Sequence, residues 1–268
     1  MHHGLDNTYL YAVSKITLII SNGLNRTKLY GTGFFIIKDA NIYLITNRHV
    51  VQPEWNDPQY QGYHIDHILF DRRDYNEALQ KVDVETLEIV SYEIFYPENA
   101  LDDIACITNI SICDEWSKKL PICIEYSMLA TSTQIETDLS ICDHVALIGF
   151  PIVYDHKHNT PILRSGVISS DPRLDYSYNG KDMGHLLAYE MFSTSGASGS
   201  PVFAIQKGIK LGKGFNVPEG FYRPVRLIGI NAGSIFTKND GVHQQMSYMF
   251  KSDQIIRLIE QAESKIHD

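Results

Sequence analysis

Three side chains far apart in the chain could together break an acyl bond. Ser198 sits in the turn Gly196-Ala197-Ser198-Gly199-Ser200-Pro201, between the apolar runs LLAYEMF and PVFA. A serine hydroxyl is a poor nucleophile near neutral pH until a base takes its proton, and an imidazole suits that task. A carboxylate is then needed to fix the imidazole tautomer and stabilise the cation that forms. His49, at the exit of Ile45-Thr46-Asn47-Arg48-His49-Val50-Val51, and Asp103, in Leu101-Asp102-Asp103-Ile104-Ala105, supply those groups. The glycine-bounded turn can also aim the amide N–H groups of Gly196 and Ser198 at one point. That is an oxyanion hole, worth roughly 2.7–4 kcal/mol per donor.

Each signal has an ordinary reading beside it. Gly and Ser are the commonest loop residues, so the turn around Ser198 also reads as a hairpin loop. A histidine just past a strand is usually a satisfied surface or core group. Asp103 competes with Asp102 and with the reading of a plain loop acid. What raises the three together is their order, His then Asp then Ser, at strand ends in two different halves of the chain.

The elements that must position them have strand periodicity. Lys15–Ile20, Gly33–Ile37 and Ile42–Thr46 are short runs rich in Ile, Leu, Phe and Tyr, separated by Gly, Asn and Asp. Gly31 and Gly33 flank Thr32 at a strand start, where missing side chains permit a bulge or a close backbone approach. Residues 52–80 read as an irregular excursion around a short strand at Ile68–Phe70, and Val82–Tyr96 as two strands. Residues 109–137 read as a crossover with one strand inside it. A second set follows at His144–Phe150, Leu163–Ser169, Leu186–Met191, Pro201–Ile205, Leu227–Asn231 and Met246–Phe250. Strands at this spacing argue for barrels or sandwiches. The chain closes on a helical face of Ile255, Ile256, Leu258, Ile259, Ala262 and Ile266, with Ser252 or Asp253 as its cap.

Composition excludes several classes. A chain of 268 residues with 44% hydrophobic content can bury a full core. A net charge of −9 offers no basic footprint, so nucleic acid is not expected as a ligand. No apolar run approaches the roughly 20 residues of a membrane helix, and no secretion signal is visible at the N-terminus. Cys106, Cys113, Cys123 and Cys142 form no CxxC pair, so neither a zinc site nor a disulfide framework is expected. Cys106 and Cys142 read as small buried side chains, and reduced cysteines suit a cytoplasmic protein. His64 and His67 could line a pocket or ligate metal, but without a further ligand they read as solvent-exposed, as do His156 and His158. No metal and no cofactor is expected.

Thr46-Asn47-Arg48-His49-Val50-Val51, Asp103-Ile104-Ala105, Gly149-Phe150-Pro151, Gly196-Ala197-Ser198-Gly199-Ser200-Pro201 and Ile228-Gly229-Ile230 together resemble the ordered signature of trypsin-like (chymotrypsin-fold) serine endopeptidases. The resemblance covers nearly the whole chain. It is closest to the bacterial glutamyl endopeptidase and exfoliative-toxin branch, with HtrA-type protease domains next. It implies an all-β protein of two six-stranded antiparallel barrels with a C-terminal helix. The implied units are residues 1–120 carrying His49 and Asp103, 121–250 carrying Ser198 and the specificity pocket, and 251–268 forming the helix.

By the same resemblance His49 is the general base, Asp103 its orienter and Ser198 the nucleophile, with Gly196 and Ser198 forming the oxyanion hole. Asp103 is favoured over Asp102 because the family's acid directly precedes an Ile-Ala pair. The primary pocket is expected between Phe192, Ser193, Thr194 and Ser195 on one side and Asn231, Ala232, Gly233 and Ser234 on the other. Two departures narrow the likeness. Ala197 stands where digestive members carry an aspartate that pairs with a cut N-terminus, and Asn231 stands where glutamyl endopeptidases carry a histidine. Preference for Arg, Lys or Glu therefore lacks support, and Asn231 with Ser193 suits a small or uncharged polar side chain. The expected partner is a protein or peptide substrate, with a regulatory protein as a further candidate. The competing readings are a catalytically silent binding module, a latent protease awaiting a partner, and an esterase-like hydrolase with the same triad.

Overall fold

The computed structural model describes residues 5–112, 121–208, 222–236 and 243–266. The first sheet is built from β1 (Val13–Ser21), β2 (Arg26–Lys38) and β3 (Asn41–Thr46), followed by the short helix α1 (Arg48–Val51). It continues through β4 (His64–Asn76), β5 (Lys81–Phe95) and β6 (Ala105–Ile112). The strand order β1-β4-β5-β6-β3-β2 closes on itself through the β1–β2 pairing. A further short strand, β7 (Cys123–Glu125), lies beyond residue 120 yet adds to β2 of this first barrel in parallel.

Helix α2 (Ser132–Asp138) links this barrel to β8 (His144–Gly149), β9 (Ile162–Ile168), β10 (Leu186–Glu190), β11 (Pro201–Ala204), β12 (Arg226–Phe236) and β13 (His243–Lys251). These six strands form the second closed barrel, in the order β10-β13-β12-β11-β8-β9. Helix α3 (Ser252–Ile266) ends the described chain. The protein is therefore a pair of six-stranded antiparallel barrels with one terminal helix.

Where the strands face the barrel interiors and the seam between them they are buried on both faces, and period-two alternation sorts their side chains between those two environments. Ile16, Leu18, Phe35, Leu44, Phe70 and Ile107 fill the first barrel. Val145, Leu147, Leu187, Val202, Ala204 and Ile228 fill the second. The alternate residues Phe34, Ile36, Tyr43, Ile45, Phe203 and Ile230 face outward into a shared layer between the barrels, which Ile255, Leu258, Ile259 and Ala262 of α3 join. Each such side chain contributes roughly 1.5–3 kcal/mol on burial, so this layer fixes the two barrels against one another.

Several elements differ from the sequence reading. Val82–Tyr96 is not two strands but one, β5, whose residues from Lys81 to Ile89 pair with a β4 far longer than Ile68–Phe70. Charged residues on their outward faces hide the alternation. Gly31 and Gly33 lie within β2 rather than at its start. In the crossover, α2 forms on a capping box in which Thr131 and Gln134 satisfy each other's backbone groups. Neither proposed cap holds at α3: the Ser252 hydroxyl donates to the Ala130 carbonyl instead, and Asp253 lies inside the helix. Cys142 is exposed, at a positive φ of 66°, because it turns the chain into β8. Cys106 is buried, whereas Cys113 lies outside the described residues. Among the described residues no helix is long and apolar enough to cross a membrane, and no group of His, Cys, Asp or Glu could hold a metal.

Candidate active site

The histidine is held from three directions. Asn47, extended, joins β3 to α1, which turns His49 toward the space between the barrels. Val50 and Val51 anchor α1 in the first barrel's core, against Gly31, where a Cβ would come within 2.7 Å of Val50. The Asn47 side-chain amide donates to the Asp103 carbonyl at 2.6 Å, which ties α1 to the loop entering β6. Arg48 turns away from the cleft and lies over the ring of Tyr96 at 4.5 Å. Burial pushes the Tyr96 phenol up to about 12, although the Arg48 charge opposes the shift.

Asp103 then grips His49 twice. Its Oδ1 accepts the His49 backbone N–H at 2.9 Å, and its Oδ2 lies 2.5 Å from Nδ1. With Nδ1–H donated to the carboxylate, Nε2 is left with a free lone pair as proton acceptor. Asp103 is buried and His49 only partly so, which leaves the imidazole edge open to the cleft.

The serine loop hangs between the barrels and is gripped from the first one by Thr32. The Thr32 N–H donates to the Ser198 carbonyl at 2.8 Å. Its hydroxyl donates to the Gly196 carbonyl at 2.7 Å and accepts from the Phe150 N–H at 3.0 Å. These contacts span more than a hundred residues of chain, and the sequence reading missed them. Glycine is required at two points of the loop. Gly196 and Gly199 have φ of 89° and 86°, and a Cβ on them would meet the carbonyl oxygens of Phe150 and Thr32 at 2.3 and 1.9 Å.

The Ser195 carbonyl accepts from Ile152 N–H at 2.9 Å. Because the peptide is trans and planar, the Gly196 N–H points the opposite way. Among the described residues the amides of Gly196 and Ser198 donate to no acceptor. The loop thus keeps unspent the two donors that the sequence singles out.

A cleft of about 860 Å³ unites these parts. His49, Asp103 and Ser198 all line it, with Ser193, Thr194, Ser195, Ala232, Gly233 and Ser234 on the second-barrel side. No hydrogen bond joins His49 to Ser198 among the described residues. Two of the expected pocket residues do not line the cleft. Strand β10 ends at Glu190, and beyond it Phe192 projects outward over Arg164. Asn231 is fully buried, and its amide is spent on the loop. It accepts from the Tyr189 hydroxyl at 2.6 Å and donates to the Ala197 carbonyl at 2.8 Å and Ser193 Oγ at 3.2 Å. Tyr248 closes over Gly233, where a Cβ would lie 2.9 Å from its hydroxyl oxygen. Thr194 Oγ1 is buried and has no partner among the described residues.

Asp102 also has a defined place. Fully buried, it accepts the His185 backbone N–H at 2.9 Å and lies 2.8 Å from its Nδ1. Neighbouring aspartates thus clasp two histidines in the same two-point manner, one in the cleft and one across the barrel interface. Gly184, at φ 89°, makes the second clasp fit, since a Cβ there would lie 2.3 Å from Asp102 Oδ1. The other histidines lie elsewhere. His67 pairs with Glu88 and His64 with Asp66, while His158 pairs with Asp155 and His156 stacks on Tyr154.

The family description "trypsin-like peptidase domain" matches residues 31–209, a span that holds His49, Asp103 and Ser198. The chain belongs to the trypsin-like peptidase family. Among solved structures it is similar to the crystal structure of Deg5, with 18% sequence identity and a TM-score of 0.52 over 93% of this chain and 88% of that one. At that identity the likeness is one of fold. No curated protein sequence matches. The family match does not reach down to the glutamyl endopeptidase and exfoliative-toxin branch.

Proposed function

We propose that the protein is a serine endopeptidase in which Ser198, His49 and Asp103 cut peptide bonds through an acyl-enzyme. The observation that carries this reading is the two-point clasp of His49 by Asp103, in the cleft that Ser198 lines beside two unspent amides. His49 Nε2 takes the Ser198 proton as Oγ attacks the substrate carbonyl. The Gly196 and Ser198 amides receive the developing oxyanion, and His49 returns the proton to the leaving amine. Water then attacks the acyl group by the same route. Asp103 remains a carboxylate throughout and holds the imidazole in one tautomer.

The residue on the acyl side of the cut is small or uncharged and polar. The walls at Ser193, Thr194 and Ala232–Ser234 carry no charge, the carboxylate of Asp182 lines another part of the cleft, and Tyr248 stands against Gly233. Digestion of a peptide library with mass-spectrometric readout tests both statements. The wild type is expected to cut and Ser198→Ala not to. Cuts mainly after Arg or Lys would sink the stated preference.

A latent form is the second reading, favoured by the lack of a hydrogen bond between His49 and Ser198. Covalent labelling of Ser198 by a fluorophosphonate without cleavage of any library peptide would support it.

A further inference from the structure

A second groove, of about 440 Å³, lies on the other side of the Ser195–Gly196 peptide. It shares Ser195 and Ile152 with the catalytic cleft and adds Lys15, Lys28, Tyr30 and Tyr154. Tyr30 and Ile152 are 60% and 68% exposed, so part of its wall is apolar surface turned to solvent.

Its charged side chains, Lys15 and Lys28, have one sign. Lys28 is exposed and makes no ion pair among the described residues. Lys15 sits 5.6 Å from the Tyr154 ring centroid and shares its charge with Asp71 at 3.2 Å, behind the groove. His156 covers Tyr154 at the rim. No carboxylate lines the groove, although the chain carries 32 acidic residues against 23 Lys and Arg. A molecule of this net charge repels acidic ligands at long range, so a local basic groove is a selective feature.

The groove's position names its occupant. With a substrate carbonyl on the Gly196 and Ser198 amides, the acyl half lies along Ala232–Ser234. The chain beyond the scissile bond must then pass Gly196 into this groove. We propose that the groove binds the leaving half of the substrate and selects an acidic residue next to an aromatic or large apolar one within the first three positions after the cut. The term "leaving half" rests on the peptidase reading. The ligand class, an acidic and apolar peptide segment, rests on the groove itself.

The test uses the full-length Ser198→Ala protein, immobilised and exposed to an equimolar peptide library, with the retained peptides quantified by mass spectrometry. Retention of peptides holding Asp or Glu beside Tyr, Phe or Leu is expected about threefold to fivefold above their Lys counterparts, the size of an exposed ion pair of up to about 1 kcal/mol. Lys28→Gln in that background is expected to remove most of this bias, and Lys28→Glu to reverse it. Both substitutions lie on the surface and leave the fold intact. No acidic enrichment, or a bias unchanged by either substitution, overturns the proposal. If the bias is present but the wild type cuts none of the retained peptides, the groove's preference stands and the peptidase reading falls.

Discussion

Thr32→Ala is the perturbation that most sharply separates positioning from chemistry. The Thr32 hydroxyl donates to the Gly196 carbonyl and accepts from the Phe150 N–H, both in the buried seam between the barrels, and it touches no reacting atom. Thr32→Ser keeps both bonds and loses only a methyl group, so the difference between the two variants isolates the hydroxyl. Each bond contributes about 1 kcal/mol net, and each group left unpaired and buried costs about 1–3 kcal/mol. Together they predict that Thr32→Ala is about 2–4 kcal/mol less stable than Thr32→Ser, a Tm difference on the order of 5–10 °C. The freed Gly196 carbonyl also lets the Gly196 amide, the proposed oxyanion donor, drift. Loss of one such donor costs about 10²–10³ in rate, so a displaced one should slow fluorophosphonate labelling roughly tenfold to a hundredfold. Scanning calorimetry and timed labelling read the two effects. Equal Tm and equal labelling rates in the two variants would refute the reasoning.

Gly196→Ala places a Cβ 2.3 Å from the Phe150 carbonyl oxygen at φ 89°, so labelling should fall by at least a hundredfold while far-ultraviolet circular dichroism stays unchanged. His185→Ala leaves Asp102 buried without its side-chain partner, and a chemical denaturation midpoint should show a loss of about 1–3 kcal/mol. Stability should fall as pH rises from about 10 toward 12. Folded Tyr96 keeps its proton up to about 12 because burial disfavours the phenolate, and Cys123 keeps its own up to about 11 for the same reason. The unfolded chain releases both earlier, so it binds fewer protons in that window. Arg73, lowered to about 10 by burial, acts the other way as a single group. Thermal melts across this range should slope downward, and Tyr96→Phe should flatten the slope.

That Ser198, His49 and Asp103 would line one cleft was legible because residue type and order along the chain carry that signal. Ser198, His49 and Asp103 each stand at a strand end next to an apolar run, and the period-two runs placed most strands of both barrels. Long-range contacts leave no such pattern. Thr32 holds Gly196 from the other barrel, and Asp102 meets His185 from 83 positions away, so neither pairing shows in local composition. Asn231 looked like a pocket residue because its neighbours are, yet its strand turns it inward, where a buried amide must find partners. The length of β4 and β5 was hidden by charges on a sheet face that the barrel does not cover. The capping box of α2 rests on Thr131 and Gln134, inside a polar, Ser- and Thr-bearing stretch whose composition is that of a loop.

The central claim is that Ser198 is a nucleophile driven by His49. Incubation of the folded protein with a fluorophosphonate probe, followed by peptide mapping, tests it most directly. One adduct on Ser198 is expected, absent in Ser198→Ala and formed at least a hundredfold more slowly in His49→Ala. A folded protein that takes no label, or takes it at Ser198 just as fast without His49, would contradict the claim.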